Sequence, residues 1–148
     1  MNVIDFRFRP NTPETVTGIA NSKMWKELCE YIDFAKMKPQ SLPEVVSDMD
    51  RHNVVRAVIT GRDAETTYGA PSNNDSVIEF VKTYPNKFIG FVGLDPHKGM
   101  KAIEELKVSV TELGMRGAAI DPYLAKIYAN DAKYYPIYSK CCELDIPI

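Results

Sequence analysis

Two arginines stand two residues apart in Asp5-Phe-Arg7-Phe-Arg9, within a stretch that alternates apolar and polar residues from position 3 to 9, apart from Val3-Ile4, and halts at Pro10. Such a stretch is a strand, and side chains two apart on a strand face the same way. A pair of guanidiniums on one face is a planar, multi-donor receptor for a carboxylate or a phosphate. Arg7 and Arg9 are therefore expected to bind an anion, and Arg62 stands at the end of a second strand. The alternative is that they pair internally with Asp5, Asp95 or Asp121. Asp121, in Ile120-Asp-Pro122, is the carboxylate best suited to general acid–base work or to orienting a water, or else it simply opens an Asp-Pro turn. Asp95, in Leu94-Asp-Pro96, has the same two readings. His97 is a proton carrier or an exposed loop residue. Tyr123, Tyr128, Tyr134 and Tyr135 line a pocket or anchor helix to sheet.

These residues fall at the ends of strands. Strand starts are expected near residues 2, 54, 88 and 115: Val54 to Thr60 is rich in β-branched residues, Phe88 to Leu94 is continuously apolar, and Met115 to Ile120 follows Gly114. Helices are expected between them. Ser41-Leu-Pro-Glu44 is a capping-box pattern followed by Val45, Val46 and Met49 at helical spacing. Asn73 or Asn74 caps a helix burying Val77, Ile78, Val81 and Tyr84, and Met100 to Leu113 closes on Gly114 as a left-handed cap. Tyr134 to Leu144 gives a last helix, and Ile146-Pro-Ile148 looks like a fifth strand beginning. From Pro10 to Asn21 the composition is that of a loop. Met24, Leu28, Tyr31, Ile32 and Ala35 then mark a helix inside an insertion at about 11–39. Trp25 and Tyr31 on that helix form a lid or an oligomer contact.

Strand and helix in alternation build a parallel sheet with right-handed crossovers. The sheet is either open and doubly wound or closed as a TIM-type (β/α)₈ barrel, and no Gly-x-Gly-x-x-Gly follows the first strand to favour a dinucleotide fold. Eight units would need roughly 250 residues, so the 148 residues hold about four βα units of an incomplete or truncated barrel. In either closure ligands bind beyond the C-terminal ends of the strands.

Composition narrows the function classes. A hydrophobic fraction of 45% and a charged fraction of 26% exclude collagen-like, disordered and coiled-coil chains. With 18 basic and 20 acidic residues and no basic block, a sequence-independent grip on nucleic acid is disfavoured. The apolar runs fall far short of the ~18 residues a membrane helix needs. Three cysteines, Cys29, Cys141 and Cys142, are an odd number without metal-type spacing, which fits a reduced, cytoplasmic setting.

Val3-Ile-Asp-Phe-Arg-Phe-Arg-Pro10, Val55 to Gly61, Tyr84-Pro-Asn-Lys-Phe-Ile-Gly-Phe-Val-Gly-Leu-Asp-Pro96, Gly114 to Pro122 and Tyr135-Pro-Ile-Tyr138 leading into Leu144 to Ile148 resemble successive landmarks of the amidohydrolase-related (amidohydrolase 2) family. The resemblance implies the N-terminal portion, 1–148, of a distorted (β/α)₈ barrel. It also implies a hydrolase, lactonase or decarboxylase acting on a small carboxylated substrate. Asp121 would then be catalytic, with Arg7, Arg9, Arg62 and Tyr123 binding substrate. Most members carry His-x-His at the end of the first strand, where Arg7 and Arg9 stand here, and a guanidinium has no lone pair to offer a metal. No cofactor is expected from these residues; a divalent metal such as zinc would need ligands beyond Ile148. A second reading is a non-catalytic half-barrel scaffold that binds an anion and self-associates. Half a barrel leaves the first and fourth strands as open edges, so a homo-oligomer or a missing C-terminal half is expected to cover them.

Overall fold

A computed structural model describes all 148 residues, with the side chains of Lys23 and Ala35 outside the described set. Ala35 belongs to the apolar stripe expected in the insertion, and that part of the stripe is therefore not described. The elements run β1 (Val3–Phe8), α1 (Pro13–Ala20), α2 (Lys26–Tyr31), α3 (Leu42–Arg51), β2 (Val54–Thr60), α4 (Glu65–Tyr68), α5 (Asn74–Thr83), β3 (Phe88–Gly93), α6 (Met100–Thr111), β4 (Gly117–Ala119), α7 (Pro122–Ala125) and α8 (Tyr135–Glu143). The four strands pair in parallel in the order β1-β2-β3-β4. Consecutive parallel strands joined through helices make this sheet half of a (β/α)₈ barrel.

The core lies between the sheet and its covering helices. Phe88 on β3 packs on Phe80 of α5 and on Tyr84, with ring centroids 6.3 Å apart in each case. Val45 and Met49 of α3, Leu106 of α6 and Ile137 and Cys141 of α8 complete the same cluster. A side chain such as Phe88, with 2% of its surface exposed, contributes about 1.5–3 kcal/mol relative to an exposed position. The Ser41 cap forms as its sequence requires: its N–H donates to the Glu44 carboxylate at 2.7 Å, and the Ser41 hydroxyl hydrogen bond holds that carboxyl below its usual range. Gly114 takes a left-handed φ of 81° after α6, as expected.

Several local expectations are corrected. The segment read as loop contains α1, because Thr12 caps it by accepting from the Thr15 N–H and Pro13 supplies a preset first turn. The single insertion helix is broken into α2 flanked by 3₁₀ turns, and Asp33 sits at φ 50° between them, a conformation no helix accommodates. In β1 the alternation is interrupted by a bulge: Asp5 pairs with Ala57 and Phe8 with Ile59, three steps against two. Phe6 consequently packs edge-on against Phe91 on one side of the sheet, while Phe8 stacks on Phe88 on the other. The outer edge of β4 is not open, since Pro147 O accepts the Ala118 N–H at 3.0 Å and the final residues run beside it. The β1 edge is uncovered, with Ile4 58% and Phe6 69% exposed. Among the described residues no helix is long and apolar enough to cross a membrane.

Candidate functional site

The C-terminal ends of β1, β2 and β4 bring four of the five expected site residues together. Arg9 lies one residue past β1, Arg62 two past β2, Asp121 two past β4, and Tyr123 in the first turn of α7. Arg62 Nε donates to Asp121 Oδ2 at 3.0 Å, and its guanidinium lies 5.0 Å from the centroid of the Trp25 ring. One arginine thus ties β2 to β4 through charge and to the insertion through a cation–π contact. Burial lowers the pKa of Arg9, and the nearby Arg62 and Arg7 guanidiniums lower it further, against the opposing pull of Asp121. Like charges are therefore crowded here. Burial raises the Tyr123 phenol, which is within electrostatic reach of Arg62, Asp121 and Arg9.

The internal pairing considered for Arg7 and Arg9 falls instead to Arg62. Among the described residues no carboxylate lies within ion-pair distance of the Arg7 or Arg9 guanidiniums. Asp5 accepts only the backbone N–H of Arg7, at 2.9 Å. Asp95 is buried and already engaged by the Thr66 N–H at 3.0 Å and the His97 N–H at 2.9 Å. Asp121 is engaged by Arg62, so the Arg7 and Arg9 guanidiniums keep no carboxylate within ion-pair distance among the described residues.

Neighbouring groups hold this rim rigid. Gly61 and Gly93 approach so closely that a Cβ on Gly61 would overlap Asn74 Oδ1 and lie 2.8 Å from the Gly93 nitrogen. The buried Asn74 amide fills that space, donating to Gly93 O at 2.9 Å and accepting from Gly93 N at 2.8 Å, and it also donates to Glu105 at 2.7 Å. Asn73 accepts the Arg62 N–H at 2.6 Å. Neither asparagine side chain caps its own helix, which is the role the sequence suggests. Lys98 pairs with Asp63 at 2.6 Å and Glu65 at 2.8 Å; burial opposes its charge, but these two carboxylates raise its pKa well above the ordinary lysine value.

His97 is not a free loop residue. The Lys133 ammonium, 3.1 Å from Nδ1, can only donate, so Nδ1 accepts and Nε2–H donates to Ala125 O at 2.8 Å. Both ring nitrogens are hydrogen-bonded, so His97 tethers its loop to Ala125 and Lys133. Of the tyrosines, Tyr123, Tyr128 and Tyr135 are exposed, whereas Tyr134 is fully buried with its hydroxyl unpaired. Burial and the Tyr138, Asp121 and Asp95 side chains push its pKa up to about 12. Cys141 is buried in the α8 packing face, whereas Cys142 is exposed.

Beside the rim lies a cavity of about 750 Å³ between the insertion and the β2–α5 layer, with Arg9, Arg62 and Trp25 on its wall. Among the described residues no three His, Cys, Asp or Glu side chains are grouped to hold a metal. Arg7 and Arg9, which stand where the family resemblance implies His-x-His, present guanidiniums without a lone pair and do not fit a divalent ion.

A family model described as Amidohydrolase matches residues 4–148. The chain is 25% identical over 158 aligned positions to a gamma-resorcylate decarboxylase of Rhodococcus jostii (strain RHA1), covering 93% of this chain and 46% of that protein. It is 31% identical over 108 positions to the decarboxylase orsB of Emericella nidulans, covering 68% of this chain and 32% of the other. Among solved structures, a dihydroxybenzoic acid decarboxylase from Polaromonas sp. JS666, with bound manganese and 2-nitroresorcinol, aligns at a TM-score of 0.56 and 27% identity, covering 99% of this chain and 48% of that one. A 5-carboxyvanillate decarboxylase from Novosphingobium aromaticivorans aligns at 0.69 and 18% identity over 99% and 49%, a likeness of fold. The chain spans about half the length of these relatives or less.

Proposed function

The chain belongs to the amidohydrolase family, and we propose that it contributes the acid-binding rim of an enzyme that decarboxylates or hydrolyses a small carboxylated aromatic compound. The observation that carries this reading is that the Arg7 and Arg9 guanidiniums at the end of β1 have no carboxylate within ion-pair distance among the described residues, while burial and the neighbouring Arg62 lower the pKa of Arg9. Relatives named as decarboxylases of aromatic acids support the choice of substrate class. Arg7, Arg9 and Arg62 receive the acid group by charge-assisted hydrogen bonds, and the Tyr123 hydroxyl meets a polar substituent. Asp121, oriented by Arg62, is the general acid–base group: in decarboxylation it takes a proton from water and passes it to the ring carbon as the bond to CO₂ breaks, and in hydrolysis it takes the proton of the attacking water. The reaction is read as cytoplasmic, in keeping with three free cysteines. The exposed Ile4 and Phe6 and the open β1 edge are read as covered by further βα units or by a second copy.

The test is CO₂ release, followed by a coupled assay, from the product of the complete reading frame offered dihydroxybenzoates and carboxylated methoxyphenols. Turnover that is lost in Asp121→Asn while carboxylate binding persists supports the reading. Tight binding of these acids with no turnover by the wild type favours the anion-binding scaffold instead.

A further inference from the structure

The cavity beneath the insertion is larger than a single-ring acid requires. About 150 Å³ suffices for one benzene ring in a protein interior, whereas this cleft measures about 750 Å³. Its walls are mostly apolar: Ile19, Met24 and Trp25 from the insertion face Ile59, Val77 and Phe80 from the β2–α5 layer. Its charged groups are Arg9 and Arg62, opposed by Glu14, which is exposed on α1. An apolar cleft with a cationic wall selects a ligand with one anionic end and a broad apolar body. Ligands of this kind gain affinity with every ring buried.

We propose that this cleft takes an aromatic carboxylate of at least two fused or linked rings, its acid at Arg9 and Arg62 and its outer ring beneath Trp25. The inference rests on the reading of those arginines as acid-binding and adds the size and shape of the acid's body. Gly18 makes it testable. This residue of α1 lines the cleft, and a Cβ placed on it meets no atom within 4 Å. A larger side chain there has room at the cleft wall and, with a better helix former than glycine, leaves α1 intact.

Trp25 is the chain's 1 tryptophan, so its indole N–H gives a single resonance in a ¹⁵N-labelled sample. Titration of the 148-residue chain with benzoate, 2-naphthoate and the neutral 2-naphthalenemethanol is read at that resonance. 2-Naphthoate is expected to shift it saturably, with a Kd about tenfold below those of the other two compounds. Gly18→Leu is expected to weaken 2-naphthoate about tenfold and to leave benzoate within about twofold. Equal affinities for benzoate and 2-naphthoate, or a Gly18→Leu variant that binds 2-naphthoate like the wild type, overturn the inference and leave the acid-binding rim standing. Binding of neither acid overturns the rim and the inference together.

Discussion

Replacing Asp121 with asparagine removes the carboxylate that lies against Arg62 and within electrostatic reach of Arg9, while keeping its shape. Asp121 now does two things to an incoming acid: it repels the acid's charge, and it occupies Arg62 Nε at 3.0 Å. With an effective dielectric constant of about 40 and a separation of about 6 Å, the repulsion alone amounts to about 1.4 kcal/mol, or about tenfold in affinity. Salt at about 0.15 M, with a Debye length of about 8 Å, trims this to roughly threefold. Asp121→Asn should therefore bind benzoate about three- to tenfold more tightly than the wild type, the gain shrinking as salt rises. Loss of the half-buried pair should cost about 1 kcal/mol of folding stability. Isothermal titration at low and physiological salt measures the first effect, and urea unfolding the second. Weaker benzoate binding in the variant, or a gain indifferent to salt, refutes this account of the rim's electrostatics.

Other consequences follow from particular contacts. Tyr134→Phe removes a buried hydroxyl with no hydrogen-bond partner, so urea unfolding should show stability unchanged or raised by about 1 kcal/mol; a loss above about 2 kcal/mol would mean the hydroxyl is satisfied. Gly61→Ala forces a Cβ into Asn74 and against the Gly93 backbone, and thermal melting should report a loss of about 3 kcal/mol or more together with loss of benzoate binding. For Asp95, burial alone would raise its pKa, but hydrogen bonds from Thr66 and His97 bring it below the ordinary 3.8; the stability it contributes is present above that value and is lost as pH falls towards the lowered one. Asp95→Asn should flatten that acid limb in a series of urea melts, and an unchanged limb would count against the assignment. Burial instead raises Glu105, so its contribution is complete below 4.5 and is lost as pH rises through the raised value. Glu105→Gln should therefore gain stability at neutral pH relative to the wild type.

The β/α order was readable because each unit carries a local signal: the Ser41–Glu44 box, the apolar run at Phe88, the cap at Gly114. The insertion was harder, since Thr15, Thr17 and Gly18 are weak helix formers and α1 buries no residue, resting on its Thr12 cap and the preset first turn at Pro13. The β1 bulge has no composition of its own; it shows only in the pairing with β2. At the site, the strand-end rule anticipates that Arg9, Arg62, Asp121 and Tyr123 lie just past the ends of β1, β2 and β4. It did not reveal that Arg62 reaches across 59 residues to Asp121, because such a pair depends on how far apart two strand ends lie. Asn73 and Asn74 were legible as a helix start, yet the reason for two asparagines lies in the Gly61–Gly93 contact, a tertiary feature.

The central claim is that free guanidinium forks at the end of β1 grip a carboxylate. Its most direct measurement is the benzoate affinity of Arg9→Gln beside the wild type, together with the slope of log affinity against log salt. Affinity about tenfold weaker with a shallower salt slope is the predicted result. Affinity and slope equal to those of the wild type would contradict it.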